Sequence, residues 1–151
     1  MRLRVRSPIT GHVLPLSEAA DPAFARGMVG PGLALDPQRA VGTAVSPVAG
    51  AVVMLHLHAF VVATAHGAAV LVHLGIDTVT LGGQGFTPHV AQGDTVRTGQ
   101  PMISWDPAAV QASGRSPLCP VIALDATAAH LLRYHGPGPI AAGDPLFDWS
   151  R

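Results

Sequence analysis

"HLHAFVVATAHGAAVLVHLGIDTV", His56 to Val79, carries four histidines within a short span: His56, His58, His66 and His73. Three of them sit in runs of valine, leucine and alanine that otherwise read as buried strand. An imidazole buried without a partner costs free energy, so three at this spacing ask for an explanation. Read at the period-two pleat of a strand from Met54 to Val62, one face carries Met54, His56, His58 and Phe60 and the other Leu55, Leu57, Ala59 and Val61. "AAVLVHLGI" reads as a second strand, and "AHG" between the two as a turn in which Gly67 is free to take positive φ. A hairpin register with His58 opposite His73 sets the two rings side by side, and a two-residue shift makes them diagonal neighbours. A slip by one residue turns every side chain over and puts the rings on opposite faces. The pattern permits a histidine pair without compelling one.

Outward from this stretch the chain reads as all-β. Seventeen glycines and fourteen prolines punctuate short runs of valine, isoleucine and leucine, the pattern of an antiparallel sandwich or barrel-sandwich hybrid. Residues 1–151 read as a single domain. "SPITGHV" from Ser7 resembles "SPVAGAV" from Ser46, and "GQPMISW" from Gly99 resembles "GDPLFDW" from Gly143. These pairs suggest pseudo-duplicated halves. Helical signals are few and short. "DPAFARG" offers Asp21 as N-cap, Pro22 at the first position and Gly27 as a stop. "DPAAVQASG" from Asp106 offers another turn, and "DATAAHLLRYHG" reads as a short helix ending at Gly136.

Composition excludes several classes. Net charge is zero with histidine neutral, and charged residues make up 12% of the chain, so the basic footprint of a nucleic-acid binder is absent. No run approaches the ~20 apolar residues of a membrane span, and the start lacks the apolar core of a secretory signal. A cytoplasmic protein with no direct membrane insertion is expected. Its arginine-rich start and its ending near Trp149 read as those of a free-standing chain. Cys119 is the single cysteine and, in apolar "SPLCPVIAL", reads as a small buried hydrophobe. No lysine occurs, which rules out a biotinyl or lipoyl carrier despite turns that suit those folds.

Three roles are open to the histidines on this reading. A neutral imidazole nitrogen is a nucleophile near pH 7, and a second imidazole can hydrogen-bond the oxygens of an incoming phosphoryl group. An apolar surround would then slow hydrolysis of the phosphohistidine. Alternatively His56, His58 and His73 supply three nitrogens to zinc, in a zinc-binding protein or zinc hydrolase with Asp77 as a distant candidate base. The third role is plain core packing. His66 reads as a turn residue, and His12, His89, His130 and His135 carry no assignment.

"VHLGIDTVTLGGQGF", with "GDTVRTGQ" after it and "DPAFARGMVGPGLALDP", "SPVAGAV" and "HAF" before it, resembles the IIA component of the bacterial sugar phosphotransferase system, glucose family. The resemblance runs from about Ser7 to Trp149. It implies a phosphotransferase working through a phosphohistidine in sugar transport, with no cofactor required. His73 would accept the phosphoryl group from the phosphocarrier HPr and pass it to a IIB domain of a sugar permease. His58 would steady the phosphate, and Gly75 and Asp77 would orient the acceptor. Partners would dock on an apolar depression matching Phe24, Val29, Met54, Leu71 and Val79. Unphosphorylated, the protein would also regulate permeases or kinases, and His58 and His73 would join a zinc site shared with a partner. One position departs from the family: a threonine is common where this chain has His56. A third imidazole there would replace the threonine hydrogen bond, raise zinc affinity or slow transfer. Sparse surface charge leaves docking less dependent on electrostatic steering.

Overall fold

The computed structural model of the chain describes residues 2–150. Its strands are β1 (Arg2–Arg6), β2 (Gly11–Pro15), β3 (Gly32–Pro37), β4 (Gly42–Val45), β5 (Gly50–His56), β6 (Ala59–Ala63), β7 (Ala69–His73), β8 (Thr87–Pro88), β9 (Thr95–Val96), β10 (Pro101–Trp105), β11 (Cys119–Ala123), β12 (Leu131–Leu132), β13 (Gly138–Ile140) and β14 (Pro145–Ser150). An eight-stranded antiparallel sheet runs β13-β2-β3-β11-β7-β6-β5-β9, and two three-stranded sheets run β1-β14-β12 and β4-β10-β8. The expected all-β architecture is therefore the one observed.

The duplicated motifs are structural equivalents. Ser7 and Ser46 are both buried, and each hydroxyl donates to the carbonyl two residues on, at Ile9 and Val48, over 2.7 Å. The Ser7 amide donates to the Asp144 carbonyl and the Ser46 amide to the Gln100 carbonyl. Gly143 and Gly99 donate back to the Ser7 and Ser46 carbonyls. The halves also clasp each other, Val45 to Pro8 and Arg6 to Pro47. Gly11 and Gly50 close the parallel. A Cβ on either would lie 2.0 or 2.1 Å from a facing carbonyl oxygen, of Asp36 or Ala63, so only glycine lets the strands approach this closely.

Local helix signals behave as their chemistry dictates. Asp21 caps α1 (Pro22–Ala25) through the Ala23 amide, and Asp106 caps α2 (Pro107–Ala112) through those of Ala108 and Ala109. The helix expected before Gly136 is not formed. Residues Ala128–His130 make one 3-10 turn, and Leu131 and Leu132 then join β12, opposite Trp149 and Asp148 of β14. Sheet pairing and burial of Leu131 override a weak local preference.

Two apolar clusters form. The larger fills the space between the sheets and includes Phe60, Val62, Val70, Val72, Leu74, Met102, Phe147 and Trp149. The smaller lies on the opposite face of the eight-stranded sheet and joins Phe24, Ala59, Val61, Leu71, Ile76 and Ile122. His73 lies on this second face, beside the Phe24 ring.

Candidate functional site

Two local irregularities build the site. The first is a β-bulge in β5. Val52 faces Val62 in the main core, the register then shifts, and Met54 faces Val61 in the second cluster. The extra residue, Val53, is exposed. Strict alternation would have returned Met54 to the face of Val52, so the bulge aims Met54 and His56 at the site. The second irregularity corrects the strand expected from Met54 to Val62. The chain reverses at Leu57–His58, and His56 pairs with Ala59 across that two-residue turn. Met54 and His56 keep their expected shared face. Phe60 does not: it lies fully buried in the main core, while Ala59 and Val61 face the site.

The β6–β7 register sets Ala59 opposite His73, the pairing expected to separate the histidines. They meet nevertheless, because His58 is a turn residue and its side chain does not follow the pleat. Its carbonyl accepts the Leu74 amide at 2.8 Å, which ties the turn to the strand bearing His73. The His58 and His73 ring centroids are 5.1 Å apart, edge to face at 70°. His56 stands almost parallel to His58 at 5.8 Å and 13°. Phe24 also contacts the His73 ring, tilted by 57° at 5.3 Å.

His73 Nδ1 lies 2.5 Å from the Gly75 carbonyl oxygen. A carbonyl only accepts, so Nδ1 carries the proton and Nε2 keeps the lone pair. The carbonyl is aimed by an irregular segment. Gly75 has φ +80, and a Cβ there would meet Thr78 Cγ2 at 2.7 Å. The Thr78 hydroxyl donates to the Leu74 carbonyl, and the Ile76 amide donates to Ser116. Asp77 adopts a left-handed conformation at φ 61, and its carbonyl accepts the Thr80 hydroxyl. Asp77 thus shapes the turn after Gly75.

Burial is the main influence on both rings. It holds His58 down to about 4, with His73 and His56 acting in the same direction. It also lowers His73, opposed by the Gly75 hydrogen bond and by the Asp21 and Asp77 carboxylates. Both rings are thereby kept neutral, the form a nucleophile and a hydrogen-bonding neighbour require.

The model of the phosphoenolpyruvate-dependent sugar phosphotransferase system, EIIA 1 family matches residues 3–129. The chain belongs to this family. It is 42% identical over 122 residues to the PTS system glucose-specific EIIA component of Oceanobacillus iheyensis, covering 80% of this chain and 73% of that protein. It is also 42% identical over 120 residues to the PTS system beta-glucoside-specific EIIBCA component of Bacillus subtilis, covering 78% of this chain but only 19% of that longer protein. In three dimensions it is similar to the glucose permease IIA from Mycoplasma capricolum, with TM-score 0.89 and 30% identity over 98% of this chain and 96% of that one. As an EIIA component, the chain is a phosphotransferase that relays phosphate through histidine in sugar uptake. Among the described residues no helix is long and apolar enough to cross a membrane.

Other expected EIIA site residues fall as follows. Phe24, Val29, Met54 and Leu71 gather in the second cluster beside His73. Val79 stands outside it, exposed, on a cavity lined also by His56, His58 and Gly83. The zinc alternative is not supported. Among the described residues no three His, Cys, Asp or Glu side chains are placed to share a metal ion, and His56 is stacked on His58 rather than converging with the pair. The stack also departs from the expected replacement of a threonine hydrogen bond, since no hydrogen bond joins the two rings. Asp21 was legible in the sequence only as a helix cap, yet its charge reaches His73.

Proposed function

We propose that His73 Nε2 is the phosphoryl acceptor of this EIIA component and that His58 steadies the transferred group. The observation that carries this is the proton held on Nδ1 by the Gly75 carbonyl, which leaves Nε2 as the free nucleophile beside a second imidazole. The phosphoryl group arrives from the phosphohistidine of HPr. The Nε2 lone pair forms the new N–P bond as the donor's N–P bond breaks and its electron pair returns to the donor ring. His73 becomes an N-phosphoimidazolium whose Nδ1–H stays on Gly75. A cysteine thiolate of a IIB domain then attacks phosphorus, an S–P bond forms, and the N–P electrons return to Nε2.

His58 offers a neutral ring nitrogen to the phosphoryl oxygens, and the step that passes the group to the IIB domain depends on it most. The apolar group of Phe24, Val29, Met54 and Leu71 surrounds the acceptor, excludes water and gives the partners a surface to meet, with Val79 at its margin. These reactions belong in the cytoplasm, where phosphoenolpyruvate and HPr are found. The unphosphorylated form also binds regulated permeases or kinases. His58 and His73 supply at most two nitrogens of a zinc site that a partner would have to complete, and no step of transfer passes through it.

Incubation with phosphoenolpyruvate, enzyme I and HPr tests the assignment. The parent should acquire an acid-labile, base-stable phosphohistidine and His73→Gln should acquire none. Labelling of His73→Gln at the parent's rate would overturn it.

A further inference from the structure

The His58 ring has little to hold it. It projects from a two-residue turn, where no pleat dictates its direction. Among the described residues no hydrogen bond and no carboxylate fixes either ring nitrogen. Two ring contacts remain, the edge-to-face meeting with His73 and the near-parallel stack on His56. Beside the stack lies a cavity of about 320 Å³ lined by Leu55, Leu57, Val79, Gly82 and Gly83 together with the two histidines. The His58 side chain therefore has somewhere else to go.

The main chain at His56 is well anchored, while its ring is exposed. The residue ends β5 opposite Ala59, on the face set by the Val53 bulge, and the Leu55 amide before it is held by the Gln92 side chain at 3.1 Å. We propose that His56 is a positioning residue for phosphoryl transfer: its ring, stacked flat on His58, keeps that imidazole turned toward His73 and out of the neighbouring cavity. This rests on the assignment of His73 and His58 above. It places the contribution of His56 in the flat face of the ring rather than in its nitrogens.

Comparing His56→Ala and His56→Phe tests the idea, because phenylalanine keeps a flat ring and lacks the nitrogens. An aromatic contact of ordinary strength corresponds to a change in ring population of up to about tenfold. His56→Ala should take label from phospho-HPr but pass it to a IIB domain about tenfold more slowly, while His56→Phe stays within about twofold of the parent. NMR of the His58 ring should show one set of side-chain couplings in the parent and in His56→Phe, and averaged couplings in His56→Ala. Onward transfer by His56→Ala at the parent's rate with unchanged couplings would overturn the proposal. So would His56→Phe as slow as His56→Ala, which would assign the effect to imidazole chemistry. The His58 couplings need no phosphoryl donor, so they report on the stack even if His73→Gln were to label and the transfer assignment were to fall.

Discussion

His73 and Gly75 are joined by a bond from Nδ1–H to a main-chain carbonyl, 2.5 Å long, that selects which face of the imidazole is reactive. The carbonyl points there because Gly75 occupies the left-handed region at φ +80. An L-residue there costs roughly 1–2 kcal/mol. An alanine Cβ would also press on Thr78 Cγ2 at 2.7 Å and on the Ser116 carbonyl at 3.1 Å. Gly75→Ala should lower stability by about 2–3 kcal/mol, joining backbone strain with overpacking. Its labelling should fall well beyond what the unfolded fraction explains, because the carbonyl is displaced from Nδ1. Urea denaturation beside initial labelling rates would check both parts, and normal labelling by a destabilised variant would refute the second.

The depressed His58 makes stability depend on pH with a definite sign. Its folded value is about 4, against an ordinary value of about 6.5 in an unfolded chain. Between those values the unfolded chain binds the extra proton, so stability is complete above about pH 6.5 and declines as pH falls toward 4. His73, also depressed, acts in the same direction. Urea midpoints from pH 7 to pH 4.5 should decrease in the parent and decrease less in His58→Gln. Identical slopes would show that His58 carries no such linkage.

Much of this was legible because its signals are local. An aspartate followed by proline and then alanine announces a capped first turn, and the two such stretches, at Asp21 and Asp106, open short helices, whereas the Asp-Pro pairs at Asp36 and Asp144 end β3 and precede β14. The Ser-Pro-x-x-Gly segments carry their own hydroxyl-to-carbonyl bonds, so their equivalence could be read without knowing their neighbours. The reversal at Leu57–His58 could not, because neither residue is a turn former. Nothing in "VVMLH" marks Val53 as the bulge, since a bulge is a property of the pair of strands. The histidine pair was thus anticipated through a continuous strand, whereas a turn and a register that would otherwise part the rings bring it about. Leu131 and Leu132 show the same limit, since their helical spacing yields to β14, a strand distant in sequence.

Cys119 lies fully buried at the start of β11, and burial pushes its thiol up to about 12. Thiolate is the reactive form, so the folded protein should resist alkylation. Iodoacetamide at pH 8 should leave the native chain unmodified over hours and modify it within minutes in urea. Rapid native modification would place the thiol at the surface. Cys119→Ser should cost stability, since a hydroxyl would replace the thiol inside the main core.

The two clasped halves predict matched energetics. The Ser7 and Ser46 hydroxyls are buried, and each donates over 2.7 Å to a carbonyl two residues on. Replacing either with alanine removes the donor and leaves a buried carbonyl short of a partner, which costs about 1–3 kcal/mol. Because both serines also carry the same pair of main-chain bonds to the turn before β10 or β14, Ser7→Ala and Ser46→Ala should lose similar stability, within about 0.5 kcal/mol of each other. The segments touch through Val45 to Pro8 and Arg6 to Pro47, so the double variant should depart from simple additivity. Chemical denaturation of the three variants measures all of this, and a large loss from one serine beside none from the other would show that the repeat is equivalent in shape but not in energy.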